Sequence, residues 1–249
     1  MNRRMFLGAA VSTSGVLGLA GCAGTDSESD AADTETPQEE AVQPVESTTV
    51  STPTPAADVS VTSAELASRT TSVRTEAAVT GTIENTGGAI LGYVNATAAF
   101  YNRDEELLDT AIGDVRLLRP DDVWEPWLVY PGDASDIAEA ELRISKAGRL
   151  SRTPSPEGVR VRESSMEVPT DASSTIRVTG RVENTSGSSI DYLDVRPQLY
   201  AENGHVLASG ITSVNNVQPD DIWRFTVRVY LRNPDWKSRI QSHDVTITQ

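Results

Sequence analysis

Cysteine, lysine, histidine and aromatic side chains are scarce in this 249-residue chain, and each shortage removes a class of protein. One cysteine cannot close an internal disulfide, so a disulfide-stapled mini-domain is excluded and any fold must rest on burial and hydrogen bonding. The two histidines, His205 and His243, have no metal-ligand spacing to each other or to the cysteine. No Gly-x-Ser-x-Gly, P-loop or Gly-x-Gly-x-x-Gly run occurs. Hydrolase and nucleotide-dependent mechanisms therefore lack their parts, and no catalytic residue, cofactor or metal is expected. Acids outnumber bases 36 to 21, giving a net charge of −15. That balance opposes general nucleic-acid binding, which needs clustered Lys and Arg to release phosphate counterions.

The basic residues are themselves skewed. Lys146 and Lys237 are the lysines, which leaves 19 of the 21 bases as arginine. This bias, with the surplus of Asp and Glu, resembles secreted proteins of extreme halophiles; an ordinary acidic surface is the competing reading. In molar salt the Debye length is about 3 Å, so crowded like charges are screened.

The N-terminal stretch reads as an address. Asn2-Arg3-Arg4-Met5-Phe6-Leu7 resembles a twin-arginine export signal, and Leu19-Ala20-Gly21-Cys22 resembles a lipobox. The apolar run between them, Met5 to Gly21, is interrupted by Gly8, Ser12, Thr13, Ser14, Gly15 and Gly18. A lasting membrane span needs about 20 strongly apolar residues, so a cleaved signal over 1–22 is expected rather than an uncleaved anchor with a chance cysteine. The resemblance implies that Cys22 carries a diacylglyceryl thioether and holds the protein on the extracytoplasmic face of the cell membrane. Residues 23–57 contain eight acids, no Lys or Arg, and no aromatic, Leu, Ile or Met residue. Such a segment cannot repay the entropy of ordering and is expected to be a disordered acidic Ser/Thr/Pro tether, plain or carrying O-linked sugar.

The most informative feature is an internal repeat. Val79-Thr80-Gly81-Thr82-Ile83-Glu84-Asn85-Thr86 recurs as Val178-Thr179-Gly180-Arg181-Val182-Glu183-Asn184-Thr185, an offset of 99. The same offset relates Tyr93 to Tyr192, Tyr101 to Tyr200, Pro120-Asp121-Asp122 to Pro219-Asp220-Asp221, and Trp124 to Trp223. Upstream, Val59 and Val61 match Val159 and Val161 at 100, and downstream Leu142 and Ile144 match Val245 and Ile247 at 103. Two copies of one module are expected, copy 1 over 58–148 and copy 2 over 157–249, joined by Gly148 to Pro156.

Within the copies the apolar period is two. Ala77, Val79, Gly81 and Ile83 share a face, as do Ile176, Val178, Gly180 and Val182. The next strand places Val94, Ala96, Ala98 and Phe100 inward, matched by Leu193, Val195, Pro197 and Leu199. A later one places Trp124, Pro126, Leu128 and Tyr130 inward, matched by Trp223, Phe225, Val227 and Val229, with Arg224 and Arg228 toward water. Trp124 and Trp223 are expected to anchor the cores. Turns fall at Asn85-Thr86-Gly87-Gly88, at both Pro-Asp pairs, and at Asn203-Gly204, where a type I′ hairpin is predicted. Short alternating strands in copies of about 90 residues predict an all-β chain of two tandem antiparallel Ig-like β-sandwich domains.

The Gly-x-x-x-Asn-Thr strand end, the Tyr-bearing strand that follows and the Pro-x-x turn before an aromatic strand resemble the FxLYD domain. The likeness covers about 76–130 and 175–230. It departs from the namesake motif at 98–102, Ala-Ala-Phe-Tyr-Asn, and at 197–201, Pro-Gln-Leu-Tyr-Ala, which both lack the leading Phe and final Asp. The resemblance implies an extracytoplasmic β-sandwich module of a kind often found on lipoproteins and largely without assigned activity.

Few residues invite chemistry. Asp121-Asp122 and Asp220-Asp221 offer carboxylates to calcium, but two adjacent acids per copy fall short of the six to eight oxygens it takes, so solvated acidic turns are expected. Asn95-Ala96-Thr97 and Asn184-Thr185-Ser186 are sequons, making Asn95 and Asn184 candidate glycosylation sites. His205, just after a turn, is expected to be solvated. The pattern as a whole predicts a membrane-anchored, non-catalytic surface lipoprotein whose modules bind a protein or envelope polymer or act as spacers. The alternative is an accessory or solute-binding lipoprotein of an uptake system, with a ligand held between the copies.

Overall fold

Strand after strand, the even-odd alternation of the sequence becomes two packed layers. The computed structural model describes residues 58–71 and 74–249. The export signal at Arg3 and Arg4, the lipobox Cys22 and the 23–57 segment lie outside the described residues. Copy 1 contains β1 (Val59–Thr70), β2 (Thr75–Asn85), β3 (Leu91–Tyr101), β4 (Leu107–Val115), β5 (Val123–Trp124), β6 (Trp127–Val129) and β7 (Glu139–Arg149). Copy 2 contains β8 (Val159–Glu167), β9 (Thr175–Asn184), β10 (Ile190–Ala201), β11 (Val206–Ser209), β12 (Thr212–Val217), β13 (Ile222–Tyr230) and β14 (Ile240–Thr248). Among the described residues the helical segments are two short 3-10 turns, Ala134–Asp136 and Pro234–Arg239.

The chain is all-β, and each copy builds two antiparallel layers. In copy 1, β2 sits between β1 and the broken strand β5/β6, facing β4-β3-β7. In copy 2, β9 sits between β8 and β13, facing β10 with β11 and β12 on one side and β14 on the other. Ala77, Val79, Ile83, Val94, Ala96, Ala98, Phe100 and Leu128 meet in one core. Ile176, Val178, Val182, Leu193, Val195, Leu199, Phe225, Val227 and Val229 meet in the other. These are the faces that the period of two places inward. Trp124 is buried as expected, whereas Trp223 is half-buried at the margin of its core beside Phe225.

The shared Val-Thr-Gly-x-(Ile/Val)-Glu-Asn-Thr segment has a specific task in each copy. The neighbouring strand bulges at Val61/Ser63 and at Val161/Glu163, pushing a carbonyl toward the glycine. A Cβ at Gly81 would lie 2.1 Å from the Ser63 oxygen, and one at Gly180 would lie 2.3 Å from the Glu163 oxygen, so only glycine fits. Four residues on, a fully buried asparagine closes the strand end. The Asn85 side-chain amide donates to the carbonyls of Ala89 and Leu118, both at 2.9 Å. Asn184 donates to Ser188, Val217 and Gln218 at 2.7, 3.1 and 3.1 Å. Each asparagine also accepts from the backbone two residues on, Gly87 or Ser186.

The Asn203-Gly204 turn differs from the expected type I′ form, in which both central residues have positive φ. Gly204 alone does, at 81°, and its N–H donates to the Ala201 carbonyl. The glycine therefore closes the four-residue turn from Ala201, the Ala201 N–H donates to the His205 carbonyl beyond it, and the register shift between Leu199 and Tyr200 falls farther along, at Leu207.

All described residues belong to one compact unit, Thr52–Gln249. The segment joining the copies is pinned along β14: Thr153 and Gln249 exchange backbone hydrogen bonds, and the Ser155 N–H donates to Ile247.

Candidate functional site

Two surfaces set the copies apart, and both come from the outward face of the layer that carries the Gly/Asn motif. Its β2-β6 register pairs Thr80 with Trp127 and Ala78 with Val129. The β9-β13 register pairs Thr179 with Thr226 and Arg177 with Arg228, at the same offset of 99.

In copy 1 the β2–β6 side of this face is covered, while Ser63 and Glu65 on β1 stay exposed. Ala67, Ala78, Trp127 and Val129 join the core of copy 2, where Trp127 meets Trp236 edge-on with ring centroids 5.7 Å apart. Trp236 sits in the 3-10 turn Pro234–Arg239, whose Asn233 cap accepts from the Asp235 N–H. Beside it, buried Glu125 accepts from Arg239 at 2.6 Å and lies 2.8 Å from His205 Nδ1. Burial pushes the Glu125 carboxyl upward, but its hydrogen bonds with Arg239 and His205 outweigh this and hold it below the ordinary carboxylate value. The expectation that His205 is solvated is thus corrected: its partner comes from a residue 80 positions upstream. The backbone also crosses, because the Glu125 N–H donates to the Val206 carbonyl and Trp124 pairs with Val206 in parallel.

A second part of the seam is polar. Arg119 of copy 1 donates to Tyr200 Oη at 2.8 Å, to Thr246 at 2.6 Å and to Asp244. Burial drives the Tyr200 phenol up to about 12, with Arg119 opposing. The Gln198 amide donates to the Leu117 carbonyl at 3.2 Å, and Arg196 pairs with buried Asp194 at 2.9 Å. Arg152, in the joint, stacks on Tyr192 at 4.2 Å and lies 3.3 Å from Asp194.

In copy 2 the equivalent outward face is open. It forms three rows across β8, β9 and β13: Glu163, Arg181 and Arg224; Ser165, Thr179 and Thr226; Glu167, Arg177 and Arg228. Glu163 pairs with Arg181 at 2.9 Å and Glu167 with Arg177 at 2.7 Å, while Ser165 and Thr179 share a hydroxyl contact of 3.0 Å. Arg224 and Arg228 have no acidic partner among the described residues. A depression of about 490 Å³ opens over Glu163, Ser165, Thr179, Gly180, Arg181 and Arg224.

The residues singled out by sequence fall elsewhere. Asn184 has no exposed surface and its amide nitrogen is committed to three carbonyls, which corrects its reading as a glycan acceptor in the folded chain. Asn95 is half-exposed on β3. Asp122 and Asp221 each accept from a backbone N–H within their own turn, Arg119 and Gln218, both at 2.9 Å, and Asp121 and Asp220 both take φ of 64°. One carboxylate of each pair is therefore a turn component. Among the described residues, no group of three His, Cys, Asp or Glu is placed to hold a metal. His243 lies 3.0 Å from Ser164 Oγ, and burial lowers its pKa.

No family model and no curated protein matches the chain. Among solved structures it is weakly similar to the N-terminal CBM22-1-CBM22-2 tandem domain of Xyn10C from Paenibacillus barcinonensis. The identity is 13%, over 78% of this chain and 92% of that one, and the TM-score of 0.09 is too low to bear on fold or role.

Proposed function

We propose that the protein is a non-catalytic lipoprotein, anchored through Cys22 at the extracytoplasmic face of the cell membrane, whose tandem β-sandwich modules bind a protein or envelope polymer. The twin-arginine signal, the halophile-like charge balance and the FxLYD-like modules belong to the same reading. The observation that carries it is the open face of β8, β9 and β13, a polar surface left free where Ala78, Trp127 and Val129 of the matching face of copy 1 pack against copy 2. A solute-binding role would call for an enclosed pocket of roughly 300 Å³ or more between the copies. Between the copies lie a cavity of about 170 Å³, lined by Trp124, Glu125, Trp127, Leu207, Arg228 and Arg232 among others, and a wider depression of about 470 Å³ over Tyr93, Lys146, Arg149, Arg196 and Ile211, which is open to solvent rather than enclosed.

Two measurements test the reading. Membrane fractionation of Cys22→Ser should show the protein released from the membrane, since two acyl chains supply most of its attachment; retention in the membrane fraction would remove the anchor. A photo-crosslinking residue at Thr226 should capture an envelope component in intact cells, whereas one at exposed Glu141 on copy 1 should not. Equal capture at both positions would remove the assignment of the face.

A further inference from the structure

The arrangement of charge on the open face specifies a ligand class. Arg181 stands directly opposite Arg224, and Arg177 directly opposite Arg228. Like charges directly opposite across an antiparallel pair destabilise a sheet. A chain with 36 acids places none on β13 between or beside these arginines, although Ile222, Arg224, Thr226, Arg228 and Tyr230 form one outward column. Glu163 and Glu167 each neutralise one arginine of β9 and leave the β13 pair uncompensated. The nine-residue grid thus carries four arginines against two glutamates on a chain whose net charge is −15.

We propose that this face binds a linear anionic polysaccharide, with Arg224 and Arg228 each gripping a carboxylate or sulfate group; the proposal rests on the binding role given above. Guanidinium groups suit planar, bidentate recognition of such oxyanions. Four residues along a strand set the two arginines ~14 Å apart at about 3.4 Å per residue, a span that a polymer with repeating acid groups bridges and a small single anion does not. Between them, Ser165, Thr179 and Thr226 supply a row of hydroxyls that can bond to neutral sugar hydroxyls. The depression over Gly180 leaves room for a ring at the Arg181 and Arg224 end. At the other end Tyr230, 64% exposed, offers an aromatic face where the open surface borders the seam cavity. A peptide partner is less well matched, because its hot spots need buried apolar pockets and here Ile222 and Tyr230 stand apart at the two ends of the column.

The test passes the full chain over immobilised polygalacturonate and dextran sulfate, with neutral dextran, poly-glutamate and duplex DNA as comparisons. Retention is expected on one or both anionic polysaccharides, and not on dextran. Arg224→Ser/Arg228→Ser should weaken it by roughly tenfold or more, two charge-assisted contacts being lost. The charge-matched Arg103→Ser/Arg143→Ser, at exposed positions of copy 1, should leave it unchanged. Thr226→Glu, which sets a carboxylate between the two arginines, should abolish retention without lowering the melting temperature. Failure of both polysaccharides, equal loss in the two double variants, or equal retention by poly-glutamate or DNA would overturn the proposal. If the polysaccharides fail while Thr226 still crosslinks to an envelope protein, the ligand class falls and the binding role stands. If Thr226 captures nothing as well, both fall.

Discussion

Copy 1 and copy 2 carry the same outward grid in the same register with opposite chemistry. Where copy 1 has Ala78, Glu125, Trp127 and Val129, copy 2 has Arg177, Arg224, Thr226 and Arg228. The inward face is preserved across the repeat because each core must fill itself with side chains of one polarity. The outward face is free to diverge, and it diverges according to what lies over it. In copy 1 the cover is copy 2, so small and aromatic apolar residues are buried there. In copy 2 the arginines keep the face wet and closed to a further module, since stacking would leave desolvated, unpaired cations.

The strongest way to break this contrast is to remove the cover. Trp236→Ala should cost about 3 kcal/mol or more in chemical denaturation, because a buried indole and its edge-on contact with Trp127 are both lost. A cost below about 1 kcal/mol, within the range of surface changes, would show that the seam does not depend on it. The inner device should behave alike in both copies. Asn85→Ala and Asn184→Ala each strand buried carbonyls that lose their amide donor, so each should cost about 2 kcal/mol. Markedly unequal costs would mean that the two strand ends are not held in the same way.

The repeat, the inward faces and the turn positions were legible because they depend on residues close in sequence and on a strict period of two. The burial of Ala78, Trp127 and Val129 was not, since they occupy the phase that in an isolated sandwich faces water. The one available sign was the offset, which grows from 99 to 103 between Trp124/Trp223 and Leu142/Val245. The added residues fall in the segment that holds Trp236. Likewise Asn184 read as a sequon because its three-residue pattern is local, whereas two of the three carbonyls that consume its amide, those of Val217 and Gln218, lie 33 and 34 residues away. The arginines of β13 were legible as solvent-facing; their opposition to Arg177 and Arg181 needed the strand register.

Acid should loosen the seam. Glu125 titrates below the ordinary carboxylate value in the folded chain. Its contribution is therefore fully present above the unfolded value of about 4.3 and is lost as pH falls through the folded one. Melting temperatures taken from pH 7 down to 2 should show a decline in the wild type that Glu125→Gln lacks over that window. Parallel curves for the two proteins would count against the Glu125, Arg239 and His205 cluster as a holding element. At the alkaline end the sign reverses. Tyr200 is raised to about 12, so its neutral form stabilises the fold below pH 10 and that contribution disappears between 10 and 12. Tyr200→Phe should remove this alkaline step.

The smallest effect belongs to the open face and sharpens the contrast most. Arg224 and Arg228 have no acidic partner among the described residues, and each faces another arginine across the sheet. Replacing both with serine removes repulsion and no buried contact, so the change in stability should lie within about 0.5 kcal/mol of zero or be slightly favourable. Raising the salt concentration should shrink the difference further, because exposed charges are screened. A loss as large as that of Trp236→Ala would show the arginines to be structural, and the open face would then be part of the scaffold. A neutral result, beside a costly change at the matching positions of copy 1, would mean that these cations are held on the surface for what they meet outside the fold.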